Sequence, residues 1–269
     1  WLRWPHRREA LRITYEPGAP QFTDAGELNT WRGPGIEPRE GDTTLWHQLL
    51  DHLFLPDTHA RDWFLRWCAC PLQRPGAKLL TAVVLWGVHQ GTGKSLLGYT
   101  LAQLYGLHNT SEITQDHLRS SFNDWLVDKQ LILGEEITGS DRRADADRLK
   151  QLITQKMIRV NLKHVREYQV PAVANFMFTS NHPDAFFLED TDRRFFIHEV
   201  QVGPMSEEFY VEYDLRLDTG GSAAVFRYLL DLDLGDFNPA APAFKTAAKE
   251  RMIANVQSDL AGWVRSLMS

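Results

Sequence analysis

The segment from Leu79 to Gly106, LLTAVVLWGVHQGTGKSLLGYTLAQLYG, constrains the fold of this chain more than any other. An apolar, β-branched run leads into a glycine-rich turn, and Lys94-Ser95 then opens an amphipathic stretch. A run without polar alternation is the pattern of a strand covered on both faces. It therefore calls for an α/β fold, a central parallel-type sheet flanked by helices. The turn suits a phosphate group. Gly91 and Gly93 let backbone N–H groups close around phosphate oxygens, with Thr92 and Leu96 completing the loop; Lys94 brings a cation to the β and γ phosphates, and Ser95 a hydroxyl for Mg²⁺. The helix N-terminus adds its dipole. One position departs from the usual spacing: six residues before Lys94 stands Val88, with Gly87 just upstream. An ordinary glycine-rich turn is the alternative.

Further strands are expected at Thr81–Trp86, Gln130–Leu133, Asn175–Thr179 and Arg194–Val200, and helices at Lys94–Tyr105 and Asp145–Thr154. In LILGEEIT the second run ends on Glu135 and Glu136. Beside a phosphate loop, one carboxylate would bind Mg²⁺, assigned to Glu135 with Ser95, and the other would orient and deprotonate an attacking water. A solvated Glu-Glu turn is the alternative. VANFMFTSNHPD ends a third run on Thr179, Ser180 and Asn181, and the Asn181 amide could bond the attacking water or the γ phosphate, or simply cap the turn before Pro183. In LEDTDRRFFIHEV, Arg193 and Arg194 precede the last run. Their guanidinium groups could reach a neighbouring subunit's nucleotide, or pair locally with Glu189, Asp190 or Asp192.

The formal charge of −6 argues against a generally basic surface for duplex DNA, so any nucleic-acid contact must be local. Such an element exists. Between Arg148 and Arg166 lie Lys150, Lys156, Arg159 and Lys163, with His164 and no acidic residue. Within it, KMIRVNLKHVREYQV alternates with period two and turns near Lys163-His164, which predicts a β-hairpin. Arg159, Lys163, His164 and Arg166 would contact the phosphates of a single strand, unless the patch is only a solvated face.

Residues 1–75 are expected to form an irregular segment and a small helical collar, 76–205 the core, and 206–269 a helical region. The collar has one helix from Thr43 or Thr44 to Leu55 and another from His59 to Cys70, where Pro71 ends it. Past Pro204, helices are expected over Phe209–Leu217, Ala223–Leu230 and from about Phe244 onward. Cys68 and Cys70 have no second pair to complete a zinc site and read as buried or free thiols. The basic opening lacks a signal-peptide pattern and no run of eighteen apolar residues occurs, so the expected location is cytoplasm, with no membrane. A start at Trp1 suggests a chain cut from a larger protein.

In order and compactness these parts, from about Asn29 to Val200, resemble superfamily 3 helicases of the AAA+ class, especially the primase-helicases of phages and integrated elements. GTGKS stands as Walker A, LILGEE as Walker B, MIRVNLKHVREYQV as the motif between B and C, FTSN as motif C and DRRFF as the arginine-finger region. NTWRGPGIEP resembles the lead-in of the phage group. The resemblance implies an AAA+ P-loop core, ATP bound between subunits of a hexameric ring, 3′ to 5′ translocation on single-stranded DNA, and a primase or polymerase domain elsewhere in the full chain. It assigns catalytic roles to Lys94, Glu135, Glu136, Asn181 and one of Arg193 and Arg194, and places Lys163 and His164 at the hairpin tip. Two other classes stay open: a P-loop ATPase acting on protein partners, and a non-catalytic nucleotide-binding scaffold.

Overall fold

The computed structural model describes residues 9–136, 142–182, 188–189 and 191–254, without the side chains of 142 and 143. The basic opening, Pro183, Asp190 and the end of the C-terminal stretch lie outside them. Among the described residues no helix is long and apolar enough to cross a membrane.

Two short strands, β1 (Ile13–Thr14) and β2 (Leu28–Asn29), pair in the otherwise irregular opening. Helices α1 (Thr44–Phe54) and α2 (Thr58–Gln73) follow. Asp57 caps α2 by accepting the Ala60 N–H at 2.9 Å. Pro71 does not end this helix as the sequence suggested; it lies inside the last turn. A proline there removes only its own N–H bond, and the Arg74 N–H still reaches the Cys70 carbonyl at 3.0 Å.

The core alternates β3 (Ala82–Trp86), α3 (Lys94–Tyr105), β4 (Thr110–Ile113), a short α4 (Gln115–Arg119) and β5 (Leu131–Glu135). Then come α5 (Arg142–Thr154), the hairpin β6 (Met157–Val160) and β7 (Tyr168–Pro171), β8 (Asn175–Ser180) and β9 (Phe195–Glu199). Helices α6 (Glu207–Arg216) and α7 (Ser222–Asp231) follow, and a further helical stretch covers 247–254. The central sheet has the order β4-β5-β8-β3-β9, and every pair in it is parallel.

That sheet is apolar on both faces. Val83, Leu85, Leu133, Met177 and Phe196 join one cluster with α1, α2, α3 and α7, so the N-terminal helices share the core layer. Alternate residues Val84, Ile132, Phe176, Phe178 and Ile197 join another with Leu149, Ile153, Ile158 and Val160. Cys68 and Cys70 are free thiols buried in α2.

The register decides what meets at the carboxyl end. Glu135 pairs with Thr179, and Trp86 lies level with Ser180 on one side and Glu199 on the other. β5, β8 and β3 therefore finish at one height. β8 separates β3 from β5, so the acidic strand end sits about 10 Å from the strand that leads into the glycine-rich loop, two strand spacings away.

Candidate functional site

A cavity of about 570 Å³ opens over these strand ends, within the size range of small-molecule sites. Residues 90–96, Tyr99, Glu135, Glu136, Thr179, Ser180, Asn181, Tyr210 and Asp214 line it. The structure thus brings together three segments far apart in sequence: Gly91, Thr92, Gly93, Lys94, Ser95 and Leu96, then Glu135 and Glu136, then Asn181.

The loop is held in its conformation by close packing. Gly93 precedes α3 at φ +96°, and a Cβ there would lie 2.6 Å from a Leu49 methyl; Gly91 has φ +69°. Gly87 has another reason to be glycine: a Cβ would meet the Val200 carbonyl at 2.3 Å. Gly87 thus serves the close approach of β3 to the chain leaving β9, which accounts for its place one residue upstream of the usual phosphate-loop glycine. Val88 is exposed.

Lys94 is 6% exposed and folds back on its own loop. Its Nζ donates to the carbonyls of His89 at 2.9 Å and Gly87 at 3.4 Å, and to Thr92 Oγ1 at 3.2 Å. Burial pushes its ammonium below the ordinary lysine range, so an arriving anion would gain a poorly solvated cation. Glu135 is the last residue of β5, and Glu136 leaves the strand at φ +49° with its N–H on the Thr179 carbonyl at 3.1 Å. For a residue with a Cβ this left-handed conformation costs about 1–2 kcal/mol. Within the described residues neither carboxylate meets a cation, and with the Ser95 hydroxyl they offer the hard oxygen donors that Mg²⁺ takes.

The arginines stand elsewhere. Arg193 and Arg194 precede the amino end of β9, about 17 Å of extended chain from the strand ends that face the cavity. Arg194 pairs with the buried Asp192 at 3.7 Å, one of the local partners expected for it. Asp192 also meets the buried Lys249 at 3.5 Å. Arg193 is exposed.

The hairpin forms as the alternation indicated. Ile158 and Val160 are buried at its base, His164 has φ +65° in the turn, and Lys163, His164 and Arg166 are exposed at its tip. Arg159 is exposed and pairs with Glu167 across the hairpin at 3.1 Å. The larger patch is smaller than the sequence suggested. Arg148 donates to the carbonyls of Leu118 and Ser120, and Lys150 is buried between Asp147 and Glu189 at 3.3 and 3.5 Å.

Sequence reasoning missed four lining residues. Tyr99 was within reach, four residues after Ser95 on the same helical face. Gln90 adjoins the glycines, but Tyr210 and Asp214 carry no local signal.

The profile of a family of unknown function, DUF5906, matches residues 85–194, from β3 to the arginine pair. The chain is homologous to the DNA primase-polymerase of Nitratiruptor phage NrS-1, 33% identical over 181 residues. That match spans 65% of this chain and 24% of the phage protein. In fold it is similar to apo structures of the NrS-1 C-terminal region, with TM-scores of 0.77 and 0.74 at 24% identity. Those alignments cover 91% of this chain and 60% of that region, so the relatives are longer than the chain on both counts.

Proposed function

We propose that this chain is the motor domain of a phage or prophage replication protein, an ATP-dependent DNA helicase or translocase of the superfamily 3, AAA+ type. The observation that carries the reading is the meeting of residues 91–96, Glu135, Glu136 and Asn181 in one cavity, while a basic hairpin projects from the same domain. Homology to a phage primase-polymerase supports the setting.

In this reading the N–H groups of residues 91–96 and Lys94 hold the β and γ phosphates of ATP. Ser95 and Glu135 would hold Mg²⁺, which would supply neutralisation of phosphate charge. Glu136 orients the attacking water and takes its proton. Asn181, on the strand between, bonds that water or the γ phosphate and reports whether the phosphate is present. Arg193 acts on the neighbouring subunit's ATP, because its own cavity lies at the other end of β9. An arginine acting in trans needs a neighbouring copy, and the resemblance to superfamily 3 helicases makes that assembly a hexameric ring around single-stranded DNA gripped by Lys163, His164, Arg166 and Arg159. A primase or polymerase domain belongs to the same longer protein, in the cytoplasm of a bacterial host.

The test is steady-state ATP hydrolysis with and without a long single-stranded oligonucleotide across a range of protein concentrations. Stimulation that grows with concentration is expected. Turnover indifferent to both would favour an ATPase acting on protein partners, and no turnover in any assembled state would favour a scaffold.

A further inference from the structure

Strand order gives the cavity a direction. Reading across the sheet, the carboxylates stand at the end of β5 and Asn181 at the end of β8, on one side of the phosphate loop. On its other side is β9, whose chain passes Val200 and Pro204 into α6. Tyr210 fixes α6 against the loop. Its ring lies 3.5 Å from the Cβ position of Gly93, and its hydroxyl accepts the Met205 N–H at 3.0 Å. Asp214 lies one helical turn farther on, about 6 Å along the axis, and faces the same cavity. It is exposed and meets no cation among the described residues.

A carboxylate repels phosphate and accepts hydrogen bonds from hydroxyls. We propose that the α6 flank holds the sugar of the nucleotide, with Asp214 accepting from the ribose 2′- and 3′-hydroxyls, so that the site selects ribonucleoside triphosphates. Tyr210 is the positioning residue that sets the distance between this carboxylate and the phosphate loop. The inference rests on the nucleotide-site reading above. It adds a selectivity that the phosphate loop does not supply, since backbone N–H groups and an ammonium are donors suited to phosphate oxygens and do not distinguish a ribose from a deoxyribose.

The experiment is equilibrium binding of ATP and 2′-deoxy-ATP, each with Mg²⁺, to the full chain, to Asp214→Ala and to Lys94→Ala. The full chain should bind ATP about tenfold more tightly than 2′-deoxy-ATP, the scale of one charge-assisted hydrogen bond. Asp214→Ala should bring that ratio close to one by weakening ATP, and its exposed position on α6 leaves the core packing unchanged. A ratio unchanged by Asp214→Ala, or no ribose preference in the full chain, overturns the sugar assignment. Loss of both nucleotides in Lys94→Ala keeps the nucleotide site standing in that case, whereas undiminished ATP binding in Lys94→Ala removes the site itself.

Discussion

The strand-end cavity and the basic hairpin are built by opposite means. The cavity stands on strands buried on both faces, whose register sets Glu135 beside Thr179 and Ser180 beside Trp86. Its glycines are wedged against Leu49 and Val200, and its lysine is 6% exposed. The hairpin is anchored only at its base, by Ile158 and Val160, and its cations stand in solvent. In-line displacement depends on sub-ångström placement, which a packed core can supply. Contact with a phosphate backbone depends mainly on charge, which an exposed turn can supply at small structural cost. The difference separates substitutions that act all-or-none from those that act by degrees.

The largest effect should come from Lys94→Ala, which is expected to abolish nucleotide binding in a direct titration; retained binding would break the contrast at its strongest point. Arg193→Ala should lower turnover about 10³-fold, the low end for an arginine finger, and mixing it with Lys94→Ala subunits should restore part of the activity. Absence of rescue would make Arg193 a local residue. Glu136→Gln should keep ATP binding and slow hydrolysis by about 10² or more, read in single turnover.

The hairpin effects should be graded. Lys163→Ala should spare basal hydrolysis, weaken single-strand binding several-fold and flatten its salt dependence by about 0.7 in log–log slope, one phosphate contact. An unchanged slope would mean that the tip meets no strand. The smallest effect on DNA affinity, none, is expected from Arg148→Ala. Thermal unfolding should nevertheless report a loss of about 1–3 kcal/mol, because carbonyls it satisfies lose their donor.

The legible parts of the sequence were those whose local pattern already carried the tertiary information. β3, β5, β8 and β9 read as apolar runs because both faces of the sheet are covered. The strand β4, Thr-Ser-Glu-Ile, escaped notice because it lies at the sheet edge with its middle residues partly exposed, and only pairing with β5 makes it a strand. Glu135, Glu136 and Asn181 could be read because each directly ends such a run. The spent charge of Arg148 could not, since its partners are backbone carbonyls 30 and 28 residues away. Asp214 lies still farther from the loop it faces, and nothing in an amphipathic helix marks which polar face will meet a cavity.

The self-contacts of Lys94 bear on how its loop keeps its shape. The ammonium donates to three oxygens of its own loop, so the side chain acts as an internal tie between Gly87, His89 and Thr92. In the reading proposed above, a triphosphate would take over that ammonium by exchanging those contacts, and the same oxygens would accept it again on release. Binding and release would then each be an exchange of partners around one cation.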